Sequence, residues 1–320
     1  MIALCVGHSA YDFIVLSNDF PLENSKTSFN DVYEGAGGTM SNVSYLLGKY
    51  GIETYLASVI GDDTFGNIIK RDLEKVGVHT EYIETAYGKR THLAFIIINK
   101  TEKTRTVYKV AKDDLLLKKT DFPINPDVVI VDSKDYGASL VAINKFKDKI
   151  TILDAEVSDQ NTLELCKYSK YILASKTFAE SVAGDKIDFN NAQSMVTVFS
   201  KLVNKFPGKE IVVTIEDKGA LYMINGQIKV MPGIQVEAID TTGAGDIFHA
   251  SFAYALCQGY DLEKTITFAN IAAGLSTTKV GVHASVPELS DIMAYFKQKY
   301  PDTVTTQTNV ATQEQVPSSQ

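Results

Sequence analysis

A doubly wound, mainly parallel α/β sheet sandwiched by helices and carrying a small β-sheet lid is the fold this sequence predicts. Short β-branched apolar runs alternate with longer helical patterns through most of the 320 residues. The runs are almost continuously apolar, as strands covered on both faces must be. Two segments break the rhythm, showing apolar–polar alternation with no helix after them.

The elements follow in chain order. Ile2 to Val6 is the first buried strand: its apolar run has no basic lead and stops at Gly7, which is not the pattern of a signal peptide. Further strands are expected at Thr54 to Ile60, Val128 to Val131, Ile150 to Leu153, Tyr171 to Leu173 and Ile211 to Ile215. Helices are expected at Ser41 to Tyr50, Phe65 to Val76, Ala138 to Phe146, Asn190 to Lys205 and Ala244 to Cys257, the separators a parallel sheet requires. The lid segments cover about 13–33 and 91–110 and read as antiparallel strands, the second pair joined across the turn-prone Asn99 to Lys103. Inserted near the N-terminal part of the large sheet, they are placed to fold over its carboxyl edge, where open α/β sheets bind ligands. Pro287 starts a last amphipathic helix, Glu288 to Tyr300, which Pro301 ends. Residues 1–300 thus form one domain, and 301–320, rich in Thr, Gln and Ser without a core-forming period, form a disordered tail.

Composition narrows the function. At 45% hydrophobic and 22% charged residues the chain is globular, not fibrous or disordered. Lys and Arg number 31 against 39 Asp and Glu, a net charge of −8, so no sequence-wide attraction to nucleic acid or to an anionic membrane is expected. Cys5, Cys166 and Cys257 lie far apart, without zinc-ligand spacing, and read as small core residues in a reducing compartment. No run approaches the roughly 18 apolar residues of a membrane span. A soluble cytoplasmic protein is the expectation.

The most informative stretch is Asp240-Thr-Thr-Gly-Ala-Gly-Asp246, followed at once by an apolar helical pattern. Gly243 and Gly245 let the backbone turn tightly and approach a ligand, while the helix behind them offers free N–H groups and a positive dipole end. That is a hole for an anion. Asp246 adds a carboxylate at the point where anions are favoured, so it is expected to stay ionised at neutral pH and to accept a proton from an attacking hydroxyl. A plain capped turn would explain an isolated glycine pair, but not two aspartates bracketing two threonines and two glycines. A Walker A loop is excluded, because no Lys-Ser/Thr follows the glycines.

These residues resemble the ribokinase-like (PfkB) carbohydrate kinases, whose signature D-T-x-G-A-G-D is matched without a gap. Gly37-Gly-Thr-Met-Ser-Asn42, Gly61-Asp-Asp-Thr-Phe-Gly66, Thr214-Ile-Glu-Asp-Lys-Gly219 and Gly281-Val-His-Ala-Ser-Val-Pro287 resemble further family segments in the expected order over about 300 residues. The resemblance implies a carbohydrate kinase that uses ATP and Mg2+. It makes Asp246 the general base and gives the amides of Gly243, Ala244 and Gly245 to the transferring phosphoryl group. It also implies that Asp12, Gly37, Gly38 and Asn42 hold the sugar and that Thr214, Glu216, Gly219 and Asn270 border the nucleotide. Asp240, Thr242, Gly281 and Ser285 match positions that enclose a monovalent cation in relatives, with oxygen ligands suited to K+.

Two departures stand out. The family's N-x-x-E element falls on Ser175 and Phe178, with Glu180 two residues late and able to substitute after local rearrangement; serine here is also found in ketohexokinase-like and sulfofructose kinase-like members, the closest in feel. Glu216 stands where glycine is common and brings a carboxylate toward the phosphates. For the acceptor, Lys26 in the lid and Lys134 after Val128 to Val131 favour an anionic group, with Arg90, Arg105 and Lys109 as weaker candidates. A nucleoside kinase with Phe29, Tyr33, Phe95 or Tyr108 stacking on a base, and a non-catalytic sugar-binding regulator, are the competing readings. His249, one turn beyond Asp246, either packs beside the loop or assists proton movement. The lid's exposed face also suits pairing with a second copy as a homodimer.

Overall fold

The computed structural model describes residues 1–110 and 115–301. The tail expected at 301–320 therefore lies, apart from Pro301, outside the described residues. The chain runs β1 (Ile2–Val6), β2 (Ala10–Ser17), β3 (Val32–Gly37), α1 (Thr39–Lys49), β4 (Glu53–Gly61), α2 (Thr64–Lys75), β5 (Ile83–Ala86), β6 (Leu93–Asn99) and β7 (Thr104–Val110). It continues through β8 (Val128–Val131), α3 (Tyr136–Lys145), β9 (Ile150–Ala155), α4 (Gln160–Cys166), β10 (Tyr171–Ser175), α5 (Lys176–Ala183) and α6 (Ala192–Lys205). Then come β11 (Glu210–Thr214), β12 (Ala220–Ile224), β13 (Gln227–Met231), α7 (Ala244–Cys257), α8 (Leu262–Ser276), α9 (Val282–Ser285) and α10 (Leu289–Lys299).

Nine strands form the large sheet in the order β13-β12-β11-β10-β9-β8-β1-β4-β5. From β11 to β5 every pairing is parallel, while β12 and β13 add an antiparallel edge. Alternation along the central strands divides the core. Ala3, Cys5, Val128, Ile130, Ile152 and Leu173 face α1, α7 and α8, whereas Leu4, Val6, Val129, Val131 and Leu153 face α3, α5 and α6. Burial pushes the thiols of Cys5 and Cys166 up to about 12 and that of Cys257 to about 11, which leaves all three as unreactive packing groups.

Helix α7 is apolar all round, and every residue from Ile247 to Ala255 is buried. A helix of that kind belongs inside the molecule, where its ends are held in place by neighbours on every side. Its first turn carries the glycine loop.

The second sheet has the order β3-β2-β6-β7. Its outer pairings are antiparallel as expected, but β2 and β6 lie parallel, because the chain passes through α1, β4, α2 and β5 before returning. The lid also begins earlier than the alternation suggests: β2 starts at Ala10, so Asp12 lies inside a lid strand. Among the described residues no helix is long and apolar enough to cross a membrane.

Candidate active site

The loop before α7 is built by its own side chains. Asp240 is buried, and its two carboxylate oxygens accept the N–H of Thr242 at 2.8 Å and of Gly281 at 3.0 Å, drawing the segment before α9 onto the loop. Gly243 caps α7 at φ 72°, where a side chain would be strained, and an added Cβ would stand 2.6 Å from Val282 Cγ1. The helix offers no internal acceptor to the amides of Gly245 and Asp246. Ala244 differs, since its N–H turns back to Thr241 O at 3.3 Å. Of the three amides assigned to an anion, this one is partly engaged by the turn.

Asp246 is the third residue of α7 and is partly buried. Asn42 Nδ2 donates to its Oδ2 at 2.6 Å across 204 positions of sequence. Asn42 sits inside α1, not at its cap, and the N-cap is Gly38. Burial, and next the Asp154 carboxylate, push Asp246 up to about 7, against the Asn42 hydrogen bond and His249. The helix end therefore does not keep this acid in the usual carboxylate range as the sequence suggested. Removal from water outweighs it.

Asp12 joins this region from the lid. An added Cβ on Gly37 would lie 2.1 Å from Asp12 Oδ2, so the bare glycine makes room for the carboxylate. Burial pushes Asp12 up to about 6. Gly38, at φ 87° with an added Cβ 2.6 Å from Ala10 N, forms the tight corner between lid and α1. The Gly61 to Gly66 segment is a structural joint: Asp63 caps α2 through Gly66 N–H at 2.9 Å and also accepts Thr91 N–H and Oγ1–H, fixing the return into β6.

Strand register separates the lysines. Asp12, Ala94 and Lys109 align across the lid on one face; half-buried His8 is pushed down to about 3, first by removal from water, then by His92 and by the positive charges of Lys109 and Lys134. Lys26 is elsewhere, lining a cavity of about 680 Å³ with Leu16, Asp19, Tyr33 and Lys100 at the far end of the lid strands. Arg105 reaches the glycine loop instead of a free space: its Nη1 donates to Thr241 O at 2.9 Å and Oγ1 at 2.7 Å. The two-residue period puts Phe95 and Tyr108 on the opposite lid face from Asp12, so neither lines the same space.

At the turn from Thr214 to Gly219, Glu216 has φ 58°, a left-handed backbone that favours glycine. Lys176 Nζ lies 3.3 Å from its carboxylate and offsets that charge. Gly219, at φ 99°, would place a Cβ 2.0 Å from Met231 O. Thr214 ends β11 beside Ser175. Asn270 is buried, and its Nδ2 donates to Met231 O and Pro232 O at 3.1 and 3.2 Å.

The N-x-x-E positions are structural. Ser175 Oγ caps α5 at Phe178 N and donates to Glu156 O, and Phe178 is wholly buried. Glu180 is engaged within its own segment, its oxygens accepting from Lys186 Nζ at 2.7 Å and Ile187 N–H at 3.0 Å. Among the described residues no group of three or more His, Cys, Asp or Glu side chains converges to hold a metal, so a Mg2+ here would rest on at most one or two carboxylates together with phosphate and water. Oxygen ligands for a monovalent cation fare better. Asp240, Thr242 and Gly281 are already joined, Thr242 Oγ1 is buried without a hydrogen-bond partner, and buried Ser285 closes the same segment.

Sequence reasoning did not single out Asp154, a lone acid in a strand. His249 Nδ1 lies 3.1 Å from Asp154 Oδ2, which settles its packing partner.

A family model described as pfkB family carbohydrate kinase matches residues 3–289. The ribokinase of Bacillus subtilis (strain 168) is 27% identical over 308 residues, 90% of this chain and 97% of its own length. A deoxyribokinase of Salmonella typhi is 24% identical and covers 91% of this chain and 97% of its own. In three dimensions, a protein of Agrobacterium tumefaciens assigned as a ribokinase superposes with a TM-score of 0.85 at 26% identity, covering 94% and 99% of the two chains. These relatives do not single out ketohexokinase-like or sulfofructose kinase-like members.

Proposed function

Because the chain belongs to the pfkB family of carbohydrate kinases, we propose that it transfers the terminal phosphate of ATP to a hydroxyl of a small sugar or sugar derivative, with Asp246 as general base. One observation carries the reading: a carboxylate at the mouth of a buried helix, held by Asn42 at 2.6 Å and pushed by burial to about 7. A base with that affinity for protons works near neutral pH.

Asn42 occupies Oδ2 and leaves Oδ1 for the acceptor hydroxyl. As the hydroxyl oxygen bonds to the γ-phosphorus, its O–H bond breaks toward Asp246, the bond from phosphorus to the β-phosphate oxygen breaks, and ADP departs. The amides of Gly243 and Gly245 and the dipole of α7 receive the negative charge of the transferring group. Asp12, Gly37, Gly38 and Asn42 hold the sugar; Thr214, Glu216, Gly219 and Asn270 border the nucleotide. Mg2+ arrives with ATP as part of the substrate, in keeping with its reluctance to shed water. Bound at Asp240, Thr242, Gly281 and Ser285, K+ would supply fixed positive charge beside the loop.

Lys109 and Lys134 flank the sugar side from lid and sheet, so the acceptor carries an anionic group; Lys26 is dropped from this role. The face of the lid turned away from Asp12 exposes Val32 (59%), Phe95 (44%), Tyr108 (52%) and Val110 (44%), which supports a homodimer through the lid. A screen of ADP release across ketoses, aldoses, acidic sugars and nucleosides tests the assignment. Turnover of an acidic sugar well above its neutral analogue is expected. Preference for a nucleoside would contradict the reading, and preference for the neutral sugar would remove the anionic acceptor.

A further inference from the structure

His249 is part of the core and yet an ionisable group one turn beyond the base. Residues three apart on a helix are neighbours, roughly 5–6 Å between Cβ atoms, so its ring lies beside Asp246. Its Nδ1 is 3.1 Å from Asp154 Oδ2, and both side chains are only 7% exposed. Asp154 is fixed near the carboxyl end of β9, a central strand. At this distance the contact offers attraction of opposite charges, and the ring has no other hydrogen-bond partner among the described residues. A neutral imidazole would leave the buried Asp154 without a countercharge.

We propose that Asp154 and His249 form a buried ion pair whose imidazolium keeps the neighbouring Asp246 in its carboxylate form before the acceptor arrives. The inference rests on Asp246 being the base of the proposed reaction. Both members are positioning residues, since neither touches the reacting atoms. Removal from water alone would protonate Asp246, and Asp154 unneutralised would push it further in that direction. With His249 charged, negative, positive and negative groups follow one another from Asp246 to Asp154, and the innermost carboxylate no longer acts on the base alone.

The surrounding charges agree. Asp246 faces Asn42 from α1, His249 from its own helix, and Asp154 and Glu156 from the end of β9. His249 faces the carboxylates of Asp154, Asp246 and Glu156, which, Asp154 first, together outweigh burial and raise its affinity for a proton. Asp132, just past β8, adds a further acid on the Asp154 side.

His249→Asn keeps a polar side chain of similar reach and removes the charge. The acid limb of the kcat–pH profile is expected to move up by about one unit, so the variant loses roughly tenfold below pH 7 and recovers near pH 9, with little change in acceptor KM. A loss equal at every pH, or no loss, would reduce the pair to packing. A second readout needs neither activity nor a folded variant: in the wild-type protein labelled with 15N-histidine, one imidazolium signal should persist at pH 8, where His8 and His283, pushed down by burial to about 3 and 4, are neutral. If every histidine is neutral at pH 8, the proposal fails. If no acceptor is phosphorylated but the imidazolium persists, the kinase reading fails and the ion pair stands.

Discussion

Asn42 and Asp246 meet through a single hydrogen bond of 2.6 Å, and that contact sets much of the chemistry at the residue scale. Asn42→Ala removes a donor that favours the ionised acid. A hydrogen bond to a charged group contributes about 1.5–3 kcal/mol, so kcat/KM at pH 7 should fall roughly 10- to 100-fold, and part of the loss should return at high pH. Steady-state profiles of the variant check this; an unshifted acid limb would show that Asn42 acts on the sugar alone. The sign for the wild-type enzyme follows from the same group: protonated Asp246 cannot accept the hydroxyl proton, so activity should decline as pH drops through about 7. Much of this was legible in the sequence. The seven-residue loop singles out Asp246 in the sequence, because two acids, two threonines and two glycines gather there ahead of an apolar helix. Asp154 carries no such mark: a single acid closing an apolar strand looks like any strand end until its partner 95 residues away is known. The upward push on Asp246 is hidden for a related reason, since the helix end is visible in sequence and the removal of the side chain from water is not.

Among the elements, β7 connects the two halves of the site. Arg105 on this strand holds Thr241 through two hydrogen bonds, and Lys109, two pleats further along, stands over Asp12 and His8. Arg105→Ala should let the lid stand open. Losing a charge-assisted contact of about 1–2 kcal/mol predicts a roughly tenfold rise in acceptor KM and faster ATP hydrolysis without acceptor, with only a small fall in thermal midpoint. Equal KM values for both proteins would show that the contact has no part in closure. The lid strands were readable from alternation, but their parallel central pairing was not, because nothing in β2 or β6 alone says which neighbour it will meet. The hairpin of β12 and β13 was absent from the expected strands despite its Asn225–Gly226 turn, a strong hairpin signal. Helix α8 was missed as well; buried on most sides against α7, it lacks the polar face that makes a helix stand out.

For the molecule as a whole, three acids shielded from water, Asp12 and Asp132 buried and Asp246 partly so, link stability to pH. Burial raises Asp12 to about 6 and Asp132 and Asp246 to about 7, so the folded chain binds these protons more tightly than the unfolded one. Their contribution is complete below the unfolded value of 3.8 and is lost as pH rises through 6 to 7. Glu180 and Asp63 are shifted the other way and lose their contribution only in more acidic solution. Thermal midpoints should therefore fall between about pH 4.5 and 7, and less steeply in Asp132→Asn; a flat or rising curve for the wild-type protein across that range would contradict the removal of these acids from water. The central claim is narrower, namely that one carboxylate at the start of α7 takes the proton from the acceptor. Single-turnover transfer from γ-labelled ATP by Asp246→Asn at pH 8, alongside calorimetric binding of the acceptor, tests it most directly. Transfer should drop by about 10²- to 10⁴-fold while the acceptor still binds; transfer at the wild-type rate would contradict it.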